Sequence, residues 1–228
     1  MSEVMTCMPF EQLMNWVLEE KKTKGTVFGQ HRAYVAEADK KLNIFERNLE
    51  TPIGPAAGPH TQLTQNIVAS YYAGARFFEL KTVQKMDGAE LAACVPRPCI
   101  LADDEGYNQE WSTELTVAQA QDEYIKAWCA LKVISKVYGL GDPDGFVFNM
   151  SVGYDLEGIK GRKVNSYIDN MMDASRTAQF KECKKVLAEL FPAERDFIAH
   201  ISPRVSRSVT VSTLHGCPPQ EIERIASY

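Results

Sequence analysis

The sequence predicts an α/β fold, read as an incomplete (β/α)8 TIM barrel behind an N-terminal helical extension. Three observations carry this. From Leu49 onward, short apolar runs alternate with amphipathic helical stretches, which implies βαβ units and a parallel sheet. Glycines recur where the apolar runs end. Four such runs occur in 228 residues, whereas a complete barrel needs eight strands and typically ~250 residues. Alternation and glycines alone suit a barrel or an open doubly wound sheet, and the motifs below favour the barrel. The chain therefore divides into an N-terminal helical extension over 1–48 and the first half of a (β/α)8 barrel over 49–228, cut off before the barrel closes.

Taken in order, Phe10, Leu13, Met14, Val17 and Leu18 recur at helical spacing, and Lys21 to Gly25 ends that helix. The polar, weakly patterned stretch to Asn48 is expected to cover the main fold. Leu49 to Ala57 (LETPIGPAA), bounded by Gly58-Pro59, predicts the first buried strand. Thr61 to Ala73 predicts a helix closed by Gly74. Ala75 to Val83 (ARFFELKTV) is the second strand, and Asp87 to Glu114 is a long loop rich in Gly, Pro and Asp. Val117 to Tyr138 is an amphipathic helix with Tyr124, Trp128, Leu131, Ile134 and Tyr138 on one side. After a turn over Gly139–Gly145, Phe146 to Val152 is the third strand. The helical region from Asn165 to Phe191 breaks once. Val209 to Thr213 is the fourth strand, and Pro218 opens a further helix in which the sequence stops.

Composition bounds the function. Hydrophobic content of 45% and charged content of 24% are ordinary for a globular core. A formal charge of −5 argues against a nucleic-acid surface, which usually carries a basic stripe. No run approaches the ~18 apolar residues of a membrane span, and the N-terminus lacks a secretory core, so a soluble cytoplasmic chain is expected. The 6 cysteines show no CxxC pair and read as reduced thiols. Cys94 and Cys99, around Pro96 and Pro98, make a loose half-site with no partner pair, so no metal centre is expected.

In a barrel, reactive residues belong at the C-terminal ends of strands. Ala56, Ala57 and Gly58 follow the first strand; such small residues admit a planar ligand to the backbone, or make a tight turn. At the end of the second strand, alternation puts Phe78, Leu80 and Thr82 on one face and Glu79 and Lys81 on the other. Lys81 can set a cation beside an electron-rich ring, or pair with Glu79 at the rim. Asn149, among apolar neighbours, needs partners that a ligand or an adjacent strand could supply, and Asn108 in the long loop is a similar case. The sharpest motif is Ser212-Thr213-Leu214-His215-Gly216-Cys217-Pro218-Pro219. Its proline pair suits a first helical turn and puts Cys217 near an N-cap, where a thiolate is stabilised. Cys217 is a candidate proton donor or nucleophile; the alternative is a buried thiol at a turn.

These stretches resemble the dihydroorotate and dihydropyrimidine dehydrogenase barrels. More closely, PIGPAAGPHTQLTQNIVASYYAGARFFELKTV, GYNQEWSTEL, FNMSVGYDLEGIKG and STLHGCPPQEIERIA resemble the N-terminal part of the selenate reductase flavo-subunit family. The resemblance implies FMN across the mouth of a barrel of the dihydroorotate dehydrogenase type. Ala56, Ala57 and Gly58 would back the flavin, Thr82 would touch it, and Lys81 would contact its ring. Asn108 and Asn149 would bind substrate or flavin, and Cys217 would exchange a proton with the substrate. Where the dehydrogenases carry a substrate-holding asparagine this chain has Leu214, which implies a different substrate or a drifted site. FAD, 4Fe-4S clusters and NAD(P)H would belong to C-terminal redox domains or subunits outside this sequence, which has no GxGxxG and no cluster-binding cysteine run.

The implied activity is reduction of an unsaturated nitrogen heterocycle, pyrimidine- or purine-like, within a larger NAD(P)H/iron–sulfur reductase. The isolated piece is expected to bind flavin poorly, because barrel phosphate sites usually follow strands seven and eight. A catalytically drifted barrel serving as a scaffold for redox subunits is the alternative. Acyl transfer by Cys217 with His215 is a third reading, without an acid to orient the histidine.

Overall fold

The computed structural model describes residues 5–37, 42–94, 99–102, 107–110, 115–212 and 219–228. In chain order its helices and strands are α1 (Phe10–Lys24), β1 (Leu42–Ile44), β2 (Arg47–Leu49), α2 (Thr64–Tyr72), β3 (Phe77–Glu79), α3 (Gly88–Cys94), β4 (Cys99–Ala102), β5 (Tyr107–Glu110), α4 (Val117–Val137), β6 (Val147–Gly153), α5 (Leu156–Lys160), α6 (Arg162–Met172), α7 (Ala178–Leu190), α8 (Arg195–Ala199), β7 (Val209–Ser212) and α9 (Ile222–Ala226).

The central sheet is parallel and runs β3-β6-β7. Neighbours in the sheet are also successive barrel-type strands in the chain, with no reversal of order. A doubly wound sheet would show a switch point. A fourth strip lies along the other side of β3, where Ile53 and Pro55 accept backbone bonds from Arg76, Phe77 and Glu79. It does not form the regular strand expected over Leu49–Ala57. Pro52 and Pro55 lack N–H groups, so this strip chiefly accepts. Gly54 lets it approach: a Cβ there would lie 1.3 Å from the Phe77 carbonyl oxygen. Among the described residues the sheet stays open and no closed barrel forms.

One face of the sheet packs on helices. Phe78 and Phe148 meet edge to face at 5.4 Å, and Trp128 of α4 packs on Phe146 at 5.1 Å and Phe148 at 5.7 Å. Burial of such rings contributes about 1.5–3 kcal/mol each. The capping box of Thr116 and Gln119 starts α4. From Glu123 to Ser135 the helix is buried all round, between α2, α6 and α7. The expected break in the later helical region falls between α6 and α7, where Asp173 and Thr177 cap the turns that follow them. Phe10, Leu13, Met14 and Val17 of α1 join the same core, and Gly25 ends that helix in the left-handed conformation at φ 72°.

Two regions differ from expectation. The stretch over 26–48 ends in the antiparallel hairpin β1–β2 rather than in helix. The long loop over 87–114 holds α3 and the hairpin β4–β5. Both hairpins have strands of three or four residues, too short to show a period of two.

The β1–β2 hairpin lies at the N-terminal ends of the parallel strands. Arg47 pairs with Asp144 at 3.1 Å, Glu46 with Arg207 at 2.7 Å, and Phe45 stacks near Phe77. Beneath it, the fully buried Arg76 donates to Glu50 at 2.7 Å and to the Tyr71 carbonyl at 2.9 Å. Its guanidinium lies 3.9 Å from the Tyr71 ring centre. This end reads as stability, and the opposite end is where chemistry would sit.

Candidate functional site

At its C-terminal end β3 does not continue as a regular strand. Leu80 donates to the Asn149 carbonyl at 3.0 Å, and the next regular donor would be residue 82. Instead Val83 donates to the Ser151 carbonyl at 3.0 Å, and Gly153 donates back to Val83 at 2.9 Å. One extra residue is therefore inserted at Lys81–Thr82. This is a β-bulge, a feature rare between parallel strands and often found where a side chain is re-aimed.

The bulge overturns simple alternation. Phe78 and Leu80 face the helices, and after the insertion so does Val83, which bridges to Val152. Thr82 is turned to the other face, where its hydroxyl meets that of Ser151 at 2.8 Å. Alternation from the helix-facing Leu80, the last residue before the insertion, sets Lys81 on that face as well. The expected split of Thr82 from Lys81 is thus corrected: both leave the strand on the face away from the helices. Lys81 is 4% exposed and Thr82 3%.

The small-residue loop runs beside them. Because Glu79 donates to the Pro55 carbonyl, it lies opposite Ala56, and Ala57 and Gly58 follow on the side of Leu80 and Lys81. Ala56 is exposed, Ala57 half-buried and Gly58 buried. The buried Thr61 closes the turn, donating from its amide at 2.9 Å and its hydroxyl at 3.0 Å to the Gly58 carbonyl. Glu123 of α4 then receives the Thr64 amide at 2.8 Å and hydroxyl at 2.7 Å, anchoring the start of α2. The ion pair with Lys126 balances the buried Glu123 charge.

Asn149 is 5% exposed on the same face, and its amide is engaged across the sheet. It donates to the Thr210 hydroxyl at 2.7 Å and accepts from the Ser208 hydroxyl at 2.5 Å. Asn108 is in β5 opposite Leu101, on the hairpin that packs against the turn at Pro59–Thr61. Cys217, with Leu214 and His215, lies outside the described residues. Among the described thiols, burial and Glu123 push Cys7 up to about 11, and burial with the neighbouring Cys183 raises Cys129 well above the usual range. Neither is an activated nucleophile.

Sequence reasoning missed Ser151, the partner of Thr82, and the role of Tyr124, whose hydroxyl donates to the Lys81 carbonyl at 2.8 Å. Helical spacing did place Tyr124 on a buried face, but nothing in the spacing marks a bulge. Two cavities lie away from these residues. One of about 540 Å³ is lined by Phe180, Lys184 and His200, and one of about 310 Å³ by Phe45, Met172, Arg204 and Arg207.

The arrangement sets a cation and a hydroxyl at the end of one strand beside a wall of methyl-sized residues from the next. That suits a flat, electron-rich ring better than a compact anion. Comparison with known proteins places the chain in a family. Residues 28–228 match the family model described as oxidoreductase YgfK, N-terminal TIM-barrel domain. Over its whole length the chain is 43% identical to two curated relatives, the YgfK proteins of Escherichia coli K12 and O157:H7, whose oxidoreductase activity their name gives as unproven. The chain spans 23% of the length of these relatives. No solved structure matches it significantly.

Proposed function

The chain belongs to the family of YgfK oxidoreductase N-terminal TIM-barrel domains, and on that premise we propose that it is the flavin-facing half of a barrel that reduces an unsaturated nitrogen heterocycle. The observation that carries the proposal is the bulge that turns Lys81 and Thr82 to one face, abreast of Ala56–Gly58. These residues fit FMN in kind: nothing larger than a methyl projects from Ala56, Ala57 and Gly58, and the cation and hydroxyl come from the adjoining strand end. The barrel is then of the dihydroorotate dehydrogenase type, completed by strands beyond this sequence.

When bound, the flavin supplies hydride. The residues of this chain do the rest. Lys81 holds a positive charge against the ring, favouring negative charge that develops there. Thr82, its hydroxyl bonded to Ser151, contributes a fixed polar contact beside it. Cys217 gives the substrate its proton, and Asn108 and Asn149 hold the substrate's polar edge. NAD(P)H, FAD and 4Fe-4S clusters would be carried by further redox domains of the longer protein in the cytoplasm.

A second reading has an observation in its favour. The Asn149 amide is already held by Ser208 and Thr210, as suits a drifted barrel that only scaffolds redox subunits. Purification of the full-length protein separates the two. The flavin reading expects bound FMN, partly lost in Lys81→Ala. It also expects Cys217→Ser to slow heterocycle reduction roughly 10²–10⁴-fold with flavin content intact. A flavin-free protein, or a Lys81→Ala variant with unaltered flavin, would leave the scaffold reading standing.

A further inference from the structure

We propose that Tyr124 is a positioning residue for this site: from the helix layer on the far side of the sheet, its phenol holds the Lys81 carbonyl and so fixes the bulge that aims Lys81 and Thr82. The proposal rests on the flavin reading for its consequence, but on geometry alone for the bulge.

An inserted residue disrupts a parallel ladder locally, and a buried carbonyl there is stabilised by a donor from outside the strands. Tyr124 supplies that donor. Its ring is fully buried and its hydroxyl lies 2.8 Å from the Lys81 oxygen. Burial, with Tyr167 and Glu123 nearby, raises the phenol well above its ordinary range, so it stays a donor at any physiological pH. On the other face Thr82 is tied to Ser151 at 2.8 Å, and past the bulge Val83 rejoins the ladder. The insertion is thus pinned on both faces of the sheet.

The residue before Tyr124 does the matching work for the other wall. Glu123 holds the Thr64 amide and hydroxyl, and with them the start of α2 just after the Ala56–Gly58 turn. Two consecutive residues of one helix therefore set the two strand ends that carry the site. Because α4 is buried all round from Glu123 to Ser135, their spacing is rigid.

The test compares Tyr124→Phe with Tyr167→Phe in the full-length protein. Tyr167 is an apt control: its ring packs on Tyr124 at 6.3 Å, and its buried hydroxyl has no hydrogen-bond partner among the described residues. Hydrogen exchange of peptides covering 80–84 reads the bulge. In Tyr124→Phe it should quicken about tenfold, the factor one lost hydrogen bond carries, with α4 and β6 unaltered. FMN retained through gel filtration reads the site, and should fall several-fold in Tyr124→Phe and not in Tyr167→Phe. Unchanged exchange over 80–84, or a rise spread across the domain as in the control, overturns the positioning role. If Lys81→Ala loses flavin while Tyr124→Phe keeps it, Tyr124 does not position the site and the flavin reading survives. If Lys81→Ala keeps its flavin, that reading falls and exchange alone judges Tyr124.

Discussion

Single residues at the N-terminal end of the sheet, beneath the β1–β2 hairpin, are the most exacting in the molecule. Arg76 is fully buried and Glu50 nearly so, and a buried pair is a poor source of net stability while the loss of one partner is severe. Gly141 and Gly145 leave room for it, since a Cβ at either would come within 2.5 Å of the Glu50 carboxylate. Glu50→Gln should cost about 3–5 kcal/mol in denaturant unfolding; a loss below ~1 kcal/mol would show that water reaches the guanidinium. Lys132 adds a pH dependence. Its ammonium sits 4.1 Å from the Trp128 ring centre and bonds the Asp144 carboxylate at 2.5 Å, and burial pulls it down to about 8 despite that partner. Between about pH 8 and the ordinary lysine value, the unfolded chain holds this proton and the folded chain has lost it. The stability contributed by this site therefore rises with pH across that window. Unfolding curves of wild type and Lys132→Met should diverge in favour of wild type from pH 8 to 10. A constant gap would mean that the lysine stays charged.

Elements show which physics is written locally. The helix over Val117–Val137 was legible nearly to the residue, because its capping box and apolar spacing are both local signals. The parallel strands were legible as apolar runs, and their order follows from chain order in a singly wound sheet. The bulge at Lys81–Thr82 was not, because it is a mismatch between two strands 70 residues apart and leaves no mark on either alone. Nor was the Pro-interrupted strip at Ile53–Pro55, which borrows its extended form from the donors of β3. Of the candidate site, the residues of the Ala56–Gly58 loop and of Lys81–Thr82 were legible, and their shared face was not. The strip is testable through Gly54. Gly54→Ala puts a methyl into the Phe77 carbonyl and should separate the strip from β3, with a loss above ~3 kcal/mol or no soluble protein. Wild-type stability in that variant would mean the strip is not held against β3.

At the scale of the whole molecule, four extended segments among the described residues form an open sheet with two edges, and Ile53 and Val209 are exposed at those edges. Ile53 on the first strip is 69% exposed, and Val209 on β7 is 46% exposed although it shares the helix-facing side with Met150. A β-branched residue on that side is placed for cover by a helix, and a strand that ends the sheet among the described residues is of the kind that invites association. Relatives four times as long supply enough chain for such cover. The same substitution should then act oppositely in two settings. In the isolated 228-residue segment, Val209→Lys should shift sedimentation from associated species toward monomer, since a lysine on an edge strand opposes pairing. In the full-length protein it should destabilise by about 1–3 kcal/mol, the cost of driving a charge into a covered apolar position. A neutral effect in the longer protein would mean that Val209 stays at the surface there, and that β7 remains an edge rather than becoming the middle of a closed barrel.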